Sequence, residues 1–309
     1  MAETTLISWA HGSFNGWVSC TRCAPECVHC YIDREIRKQI DWQSPLNPKP
    51  KREPFGHVYL TKTWGAPYKM QAQLKQTPGI YKRMFTCSLS DFFHPMVDGR
   101  KFDFDAATLK QLTVSQRVSD ISTMTWRDYA WQVIRDTPQV VYLILTKRPE
   151  LIAKRLPADW GEGYPNVWLG VSVGCNLSLP KMDVLRKIPI HTQAVRFVSH
   201  EPVVEDISRN VNYDGIGWVI AGGESGTNPE YLYNPTDDWR KMIGQPGRRT
   251  MKIEWAYALM LRAKQAGIPF MFKQITSGRS GVGKDALGFI IQEFPVAPFG
   301  GTWAPGRTE

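Results

Sequence analysis

The 309-residue sequence contains no apolar run long enough to span a bilayer. Its start, Met1-Ala-Glu-Thr-Thr-Leu-Ile, has neither the basic residues nor the apolar stretch of a signal peptide. A membrane protein is therefore not expected, and a cytoplasmic one is. Cysteine is scarce, with six residues, and four of them fall between Cys20 and Cys30. So few thiols, so clustered, argue against a disulfide frame and for metal or redox chemistry. Acidic residues are outnumbered, 29 against 38 Lys and Arg, for a formal charge of +9. That balance suits a polyanion such as nucleic acid. The cations are spread along the chain, so a generally basic surface explains the charge equally well.

What is present is a recurring apolar pattern. Runs at Phe14 to Ser19, Met84 to Ser88, Val140 to Thr146, Asn166 to Ser172, Ala194 to Ser199, Gly217 to Gly222 and Pro269 to Lys273 are separated by helical or crossover stretches. Most are apolar throughout, as parallel strands buried on both faces are. Helical character is expected over about 33–42 and 104–136. About seven such units predict an α/β fold, a partial or nearly closed (β/α) barrel. One domain over 1–309 is expected, with surface insertions at about 44–82, 99–125 and 235–248 and a C-terminal extension over 275–309. The 44–82 segment, rich in Pro, Lys and Gln, holds one strand candidate, His57 to Thr61, and otherwise reads as a surface excursion. Most of the twelve tryptophans read as packing residues.

The strand ends carry polar residues: Ser88, Ser90 and Asp91; Lys147 and Arg148; Ser172 and, beyond it, Asn176; His200 and Glu201; Glu224; Lys273 and Gln274. In a parallel barrel these ends converge on one face, where active sites form. One polar end would mean little, since βα loops are usually polar. Six of them, with the cysteines after the first strand, point to a site. Gly278-Arg-Ser-Gly-Val-Gly283-Lys284-Asp285 nearly matches a phosphate-binding loop, but Asp285 stands where Ser or Thr should bind magnesium and no long helix follows.

Within the cluster, Cys23-x3-Cys27-x2-Cys30 has the spacing of the radical S-adenosylmethionine enzymes, in which three thiolates hold a [4Fe–4S] cluster. The competing reading is a structural zinc site made of all four cysteines, although zinc sites more often pair two C-x2-C units across a longer spacer. Glu26 and His29 read as solvated residues or as outer neighbours of the metal. Cys87 and Cys175 read as buried small residues.

The chain resembles a phage and bacterial radical-SAM-like family long labelled only as a phage protein family of unknown function. The resemblance rests on Gly16-Trp-Val-Ser-Cys-Thr-Arg, Pro25-Glu-Cys-Val-His-Cys-Tyr31, Ser88-Leu-Ser-Asp-Phe-Phe-His-Pro95, Leu145-Thr-Lys-Arg-Pro-Glu150, Asn166-Val-Trp-Leu-Gly-Val-Ser-Val173, Arg196-Phe-Val-Ser-His-Glu-Pro202, Trp218-Val-Ile-Ala-Gly-Gly-Glu-Ser-Gly226 and Pro269-Phe-Met-Phe-Lys-Gln274. That family places its first cysteine at Cys20, in C-x6-C-x2-C, and usually has an aliphatic residue at Cys23. Three of Cys20, Cys23, Cys27 and Cys30 are thus the expected ligands, Cys27 and Cys30 in either reading. His200 stands where the family usually has cysteine.

The resemblance implies a radical SAM barrel with a [4Fe–4S] cluster, S-adenosylmethionine, and an electron donor such as flavodoxin or ferredoxin. In that reading, strand-end position assigns Ser88, Ser90, Asp91, Lys147, Ser172, Asn176 and Glu201 to the cofactor. Arg148, Glu224 and Gln274 would face substrate, and Glu224, His200 and Lys273 would be catalytic. Some phage relatives are associated with thymidine hypermodification, so the implied substrate is a modified thymine in DNA and the implied reaction an isomerisation, in the cytoplasm of a bacterial host. Alternatives are a DNA-lesion lyase similar to spore photoproduct lyase, which uses the same cofactor, and a zinc-stabilised nucleic-acid-binding module.

Overall fold

The computed structural model describes residues 7–32, 57–103, 121, 123–226, 230–243 and 245–306. Its strands are β1 (Gly12–Phe14), β2 (Trp17–Val18), β3 (Tyr59–Leu60), β4 (Ile80–Thr86), β5 (Val140–Thr146), β6 (Val167–Ser172), β7 (Arg196–His200), β8 (Trp218–Gly222), β9 (Glu230–Tyr231), β10 (Arg248–Arg249), β11 (Phe270–Gln274) and β12 (Thr302–Trp303). The α-helices among the described residues are α1 (Ala66–Leu74), α2 (Trp126–Asp136), α3 (Pro180–Arg186) and α4 (Ile253–Gln265).

Seven parallel strands form one curled half-barrel sheet in the order β1-β4-β5-β6-β7-β8-β11, so each new strand is added beside the last. Strands buried on both faces explain the unbroken apolar runs, and β5 coincides with the stretch expected from the sequence. Alternate residues go to opposite sides of such a sheet. On β5, Val140, Tyr142 and Ile144 join the helix-side core, with Ala130, Val133 and Ile134 of α2 and Ala256, Leu259 and Ala263 of α4. Val141 and Leu143 face the interior, with Phe85, Trp168, Phe197, Trp218, Ile220 and Met271.

The interior is closed at its base by aromatic rings. Trp9 meets Phe85 at 4.3 Å between centroids, and Trp168 meets Trp218 edge-on at 6.3 Å. Gly170 makes room for this packing, since a Cβ there would lie 2.4 Å from the Phe197 ring. The described part of the expected C-terminal extension, residues 275–306, packs on the barrel. It returns as β12, pairs with β4, and sets Trp303 5.5 Å from Trp168.

Two expectations are corrected. The first sheet strand is β1, ending at Phe14. Trp17 and Val18 leave the sheet and pair antiparallel with Tyr59 and Leu60, because Gly16 turns the chain against Trp64, where a Cβ would stand 2.7 Å from the ring. The excursion expected at 44–82 contains a structural helix. Despite its Lys and Gln residues, α1 buries Met70 and Leu74 in the helix-side layer, and Ala66 is also buried. The helix expected at 33–42, residues 44–56 and most of the expected 99–125 insertion lie outside the described residues. Of the helix expected over 104–136, α2 is the described part. Thr125 caps it, its hydroxyl accepting from the Asp128 amide. Around Trp239 the 235–248 segment forms a short 3-10 turn, and it ends in β10.

Candidate active site

The same strands that are aromatic at the base become polar at their C-terminal ends. On the interior face β6 runs Trp168, Gly170, Ser172, and β7 runs Phe197, Ser199 and then Glu201 beyond its end. Met271 of β11 is followed by Lys273. Register places Ser172 directly opposite Ser199. These ends line a cavity of about 690 Å³, together with Asn15, Cys20, Cys27, Cys30, Ser88, Ser90, Asp91, Lys147, Arg148, Glu224 and Gln274.

One side of the cavity is the cysteine loop, which follows β2 and is tied to several strand ends. At its start, Ser19 (φ +86°) donates its amide to Leu89 O at 2.9 Å, and its carbonyl accepts from Ser90 Oγ at 2.6 Å. Arg148, after β5, donates to Cys20 Sγ at 3.4 Å, Thr21 O at 2.5 Å and Thr21 Oγ1 at 2.8 Å. Asp91 in turn braces Arg148 at 3.4 Å, while accepting from Thr146 Oγ1, Lys147 N and Phe93 N. At the loop's far end Tyr31 donates its hydroxyl to Ser88 O at 2.5 Å.

The thiols differ in setting. Burial pushes Cys20 up to about 12, against the pull of Arg148, and also raises Cys30. Cys27 is pushed down to about 5 by the hydrogen bond shared with Cys23 and, against burial, by the Lys147 ammonium. The thiols of Cys27 and Cys30 and the Glu26 carboxylate hold Lys147 charged despite its burial. Cys20, Cys27 and Cys30 line the cavity, whereas Cys23 is exposed, its Sγ 3.9 Å from Lys147 O.

Among the described residues no three His, Cys, Asp or Glu side chains already converge as a metal-binding group. The donor chemistry nevertheless fits a thiophilic centre, with three thiols on one loop, at the edge of one cavity, beside two cations that favour thiolate. The part of the lining at the ends of β6 and β7 fits a polar ligand. Ser172 Oγ, Ser199 Oγ and Glu201 Oε1 are buried without a hydrogen-bond partner. Buried polar atoms are normally satisfied, so three orphans on one cavity wall mark where a ligand's polar groups would be received. Glu201 Oε2 takes Lys273 Nζ at 2.8 Å, and Gly222 leaves space for that carboxylate, a Cβ there lying 3.3 Å from Oε1.

Of the residues expected at the site, Ser88, Ser90, Asp91, Lys147, Arg148, Ser172, Glu201, Glu224, Lys273 and Gln274 do border the cavity. Several, however, are engaged by the protein. Asp91 is saturated as described. Glu224 accepts from Arg249 Nη2 and N, both at 2.6 Å. Gln274 bridges Gly223 O, Ser280 Oγ and Gly281 N, each at 2.8 Å.

Two expectations are corrected. His200 is buried on the helix side, its Nδ1 2.6 Å from Val173 O and its Nε2 3.0 Å from Tyr213 Oη, because strand alternation turns Ser199 and Glu201 inward. Asn176 lies outside the cavity, its amide N–H accepted by Glu205 at 3.0 Å. The sequence reading assigned no role to Ser199, a strand-end residue, and did not single out Asn15 or Arg249. The alternation that makes Phe197 an interior residue would have found Ser199. Glu26, expected to be solvated or beside the metal, is fully buried. It accepts from Gly174 N at 2.8 Å and Lys181 Nζ at 3.1 Å, and although burial opposes ionisation these donors hold its carboxyl below the usual range.

Comparison with known proteins gives one family match. A family model described as "Protein of unknown function (DUF5131)" matches residues 4–116 and 113–292. No curated protein matches the chain. Similar solved structures include a spore photoproduct lyase complexed with dinucleoside spore photoproduct, at 9% identity and TM-score 0.42, over 87% of this chain and 76% of that one. A single-site mutant of spore photoproduct lyase aligns at 8% identity and TM-score 0.41, over 88% and 77%. A double mutant with bound AdoMet and the same dinucleoside aligns at 9% and 0.37, over 83% and 62%.

Proposed function

For a chain that belongs to this family of unknown function, we propose a radical S-adenosylmethionine enzyme acting on a modified thymine in DNA, by rearrangement of the base. The observation that carries the reading is the position of Cys20, Cys27 and Cys30 on the edge of the strand-end cavity, beside Lys147 and Arg148. These three thiols would hold a [4Fe–4S] cluster, with Cys23 outside the ligand set. Once bound, such a cluster supplies the electron that splits S-adenosylmethionine to a hydrogen-abstracting 5′-deoxyadenosyl radical.

The chain's own residues then have separable tasks. Arg148 holds the Cys20–Thr21 segment against the end of β5, and Lys147 offsets thiolate charge at Cys27 and Cys30. Ser172, Ser199 and Glu201 Oε1 receive hydroxyl or amino groups of the bound cofactor or substrate. Lys273, held by Glu201, supplies a cation for a carboxylate or phosphate. Ser88 and Ser90 shape the wall beside the loop. The aromatic base closes the interior at the end away from these groups. A base in a duplex would have to flip out to reach this depth. The chain's charge of +9 favours such a polyanion. An electron donor such as flavodoxin or ferredoxin would complete the system.

The test is anaerobic incubation of reconstituted protein with S-adenosylmethionine and reductant, on three DNAs: one carrying amino-acyl-thymine, one ultraviolet-irradiated and one unmodified. Release of 5′-deoxyadenosine with rearrangement of the modified base supports the reading. Turnover on irradiated DNA alone would replace it with a lesion lyase. No cofactor cleavage on any of them would overturn it.

A further inference from the structure

Two consecutive residues in the cysteine loop, Pro25 and Glu26, are gripped by buried charged groups from different parts of the barrel. The Pro25 carbonyl accepts from Arg249 Nη1 at 2.8 Å. Arg249 is fully buried on β10, and its other donors are turned onto Glu224, beyond the end of β8. The Glu26 side chain enters a socket between β6 and α3, where Gly174 N and Lys181 Nζ donate to separate carboxylate oxygens. The socket closes tightly. A Cβ on Gly174 would lie 1.9 Å from Pro202 O and 3.1 Å from Glu26 Cγ, so only glycine lets the loops beyond β6 and β7 meet the carboxylate.

We propose that Glu26 and Arg249 are positioning residues, which fix where the Cys20–Cys30 loop sits relative to the strand ends of β6 and β8. This inference rests on the reading of that loop as a cluster-binding loop. Neither group acts on substrate. Glu26 is shut away with its oxygens filled, and Arg249 has its donors committed. Their effect is on geometry. The loop cannot lift from the cavity edge without separating the buried Glu26 carboxylate from the Lys181 ammonium and leaving the buried Arg249 guanidinium one acceptor short, and both losses are disfavoured. Loop position is therefore held in one state, in register with Ser172 two residues before Gly174 on one side and with Glu224 on the other.

The experiment is anaerobic iron and sulfide reconstitution of the full chain and of its Glu26→Gln and Lys181→Met variants. Iron and sulfide per chain, the electron paramagnetic resonance spectrum of the reduced protein with and without S-adenosylmethionine, and the near-ultraviolet circular dichroism of the unreconstituted protein are compared. The inference expects native circular dichroism with iron affinity lowered about 10-fold, the scale of outer-shell changes at metal sites, or a shifted resonance spectrum. If Glu26→Gln does not fold, Lys181→Met, which keeps the Gly174 donor, carries the same expectation. A folded variant with wild-type iron content and wild-type spectrum overturns the inference. A wild-type chain that takes up no iron overturns the cluster reading instead, so the two failures are distinct.

Discussion

The two walls of the cavity are built alike and used differently. On the cysteine side nearly every polar group is already engaged by the protein: Asp91 by Thr146, Lys147 and Arg148, Arg148 by Thr21 and Cys20, Glu224 by Arg249, Glu26 by Gly174 and Lys181. At the ends of β6 and β7, Ser172, Ser199 and one oxygen of Glu201 are buried and unsatisfied. The difference separates residues that hold the site together from residues that would meet a ligand. Charge and strand-end position mark both walls equally, and only the hydrogen-bond partners tell them apart.

The largest effect that sharpens this contrast is expected at Arg249. Replacement by Met leaves Glu224 buried without its partner and frees the Pro25 carbonyl, and such breaks cost about 3–5 kcal/mol. Chemical denaturation checks it. A variant as stable as the parent would remove Arg249 from the scaffold.

Next is acid sensitivity behind the ligand wall. Burial pushes His200 down to about 4, with the Val173 carbonyl and Glu26 opposing only in part. The unfolded chain binds this proton below its ordinary value near 6.5 and the folded chain does not. Stability from this group is thus full above about pH 6.5 and declines as pH falls toward 4. The loss between pH 7 and 4.5 is about 2–3 kcal/mol. Urea unfolding at the two pH values should show a smaller gap in His200→Gln than in the parent. An unchanged gap would assign the acid sensitivity to other groups.

Ser172→Ala with Ser199→Ala should reverse the Arg249 pattern. Removing an unsatisfied buried hydroxyl is neutral or stabilising, within about 1 kcal/mol. Affinity for S-adenosylmethionine or for substrate, read by calorimetry, should drop about 10-fold for a lost pair of hydrogen bonds. Stability lost with binding unchanged would place these hydroxyls in the scaffold. The smallest effect is expected at Cys23. It is exposed, so Cys23→Ala should stay within about 0.5 kcal/mol and keep its iron, whereas Cys20→Ala loses it. Iron lost only from Cys23→Ala would restore the C-x3-C-x2-C reading.

Much of the barrel was legible because buried parallel strands write themselves as apolar runs, as Val140 to Thr146 does. α1 was not, since Pro67, Lys69 and Gln73 mask the buried stripe of Ala66, Met70 and Leu74. At the site, naming strand ends gathered most of the lining residues, but strand ends alone do not say which face a residue takes. One position of phase separates His200, facing the helices, from Ser199, facing the cavity. The engagement of Glu26 was not legible because Lys181 is far along the chain, and that of Glu224 because Arg249, 25 residues on and just past a segment that read as an insertion, carries no strand-end signal.

The measurement that bears most directly on the central claim is the metal content of the chain purified without oxygen. The proposal expects brown protein carrying about four irons and matching sulfide per chain, lost from Cys27→Ala and Cys30→Ala. Colourless protein with a single zinc held by all four cysteines would contradict it, and would return the chain to the nucleic-acid-binding reading.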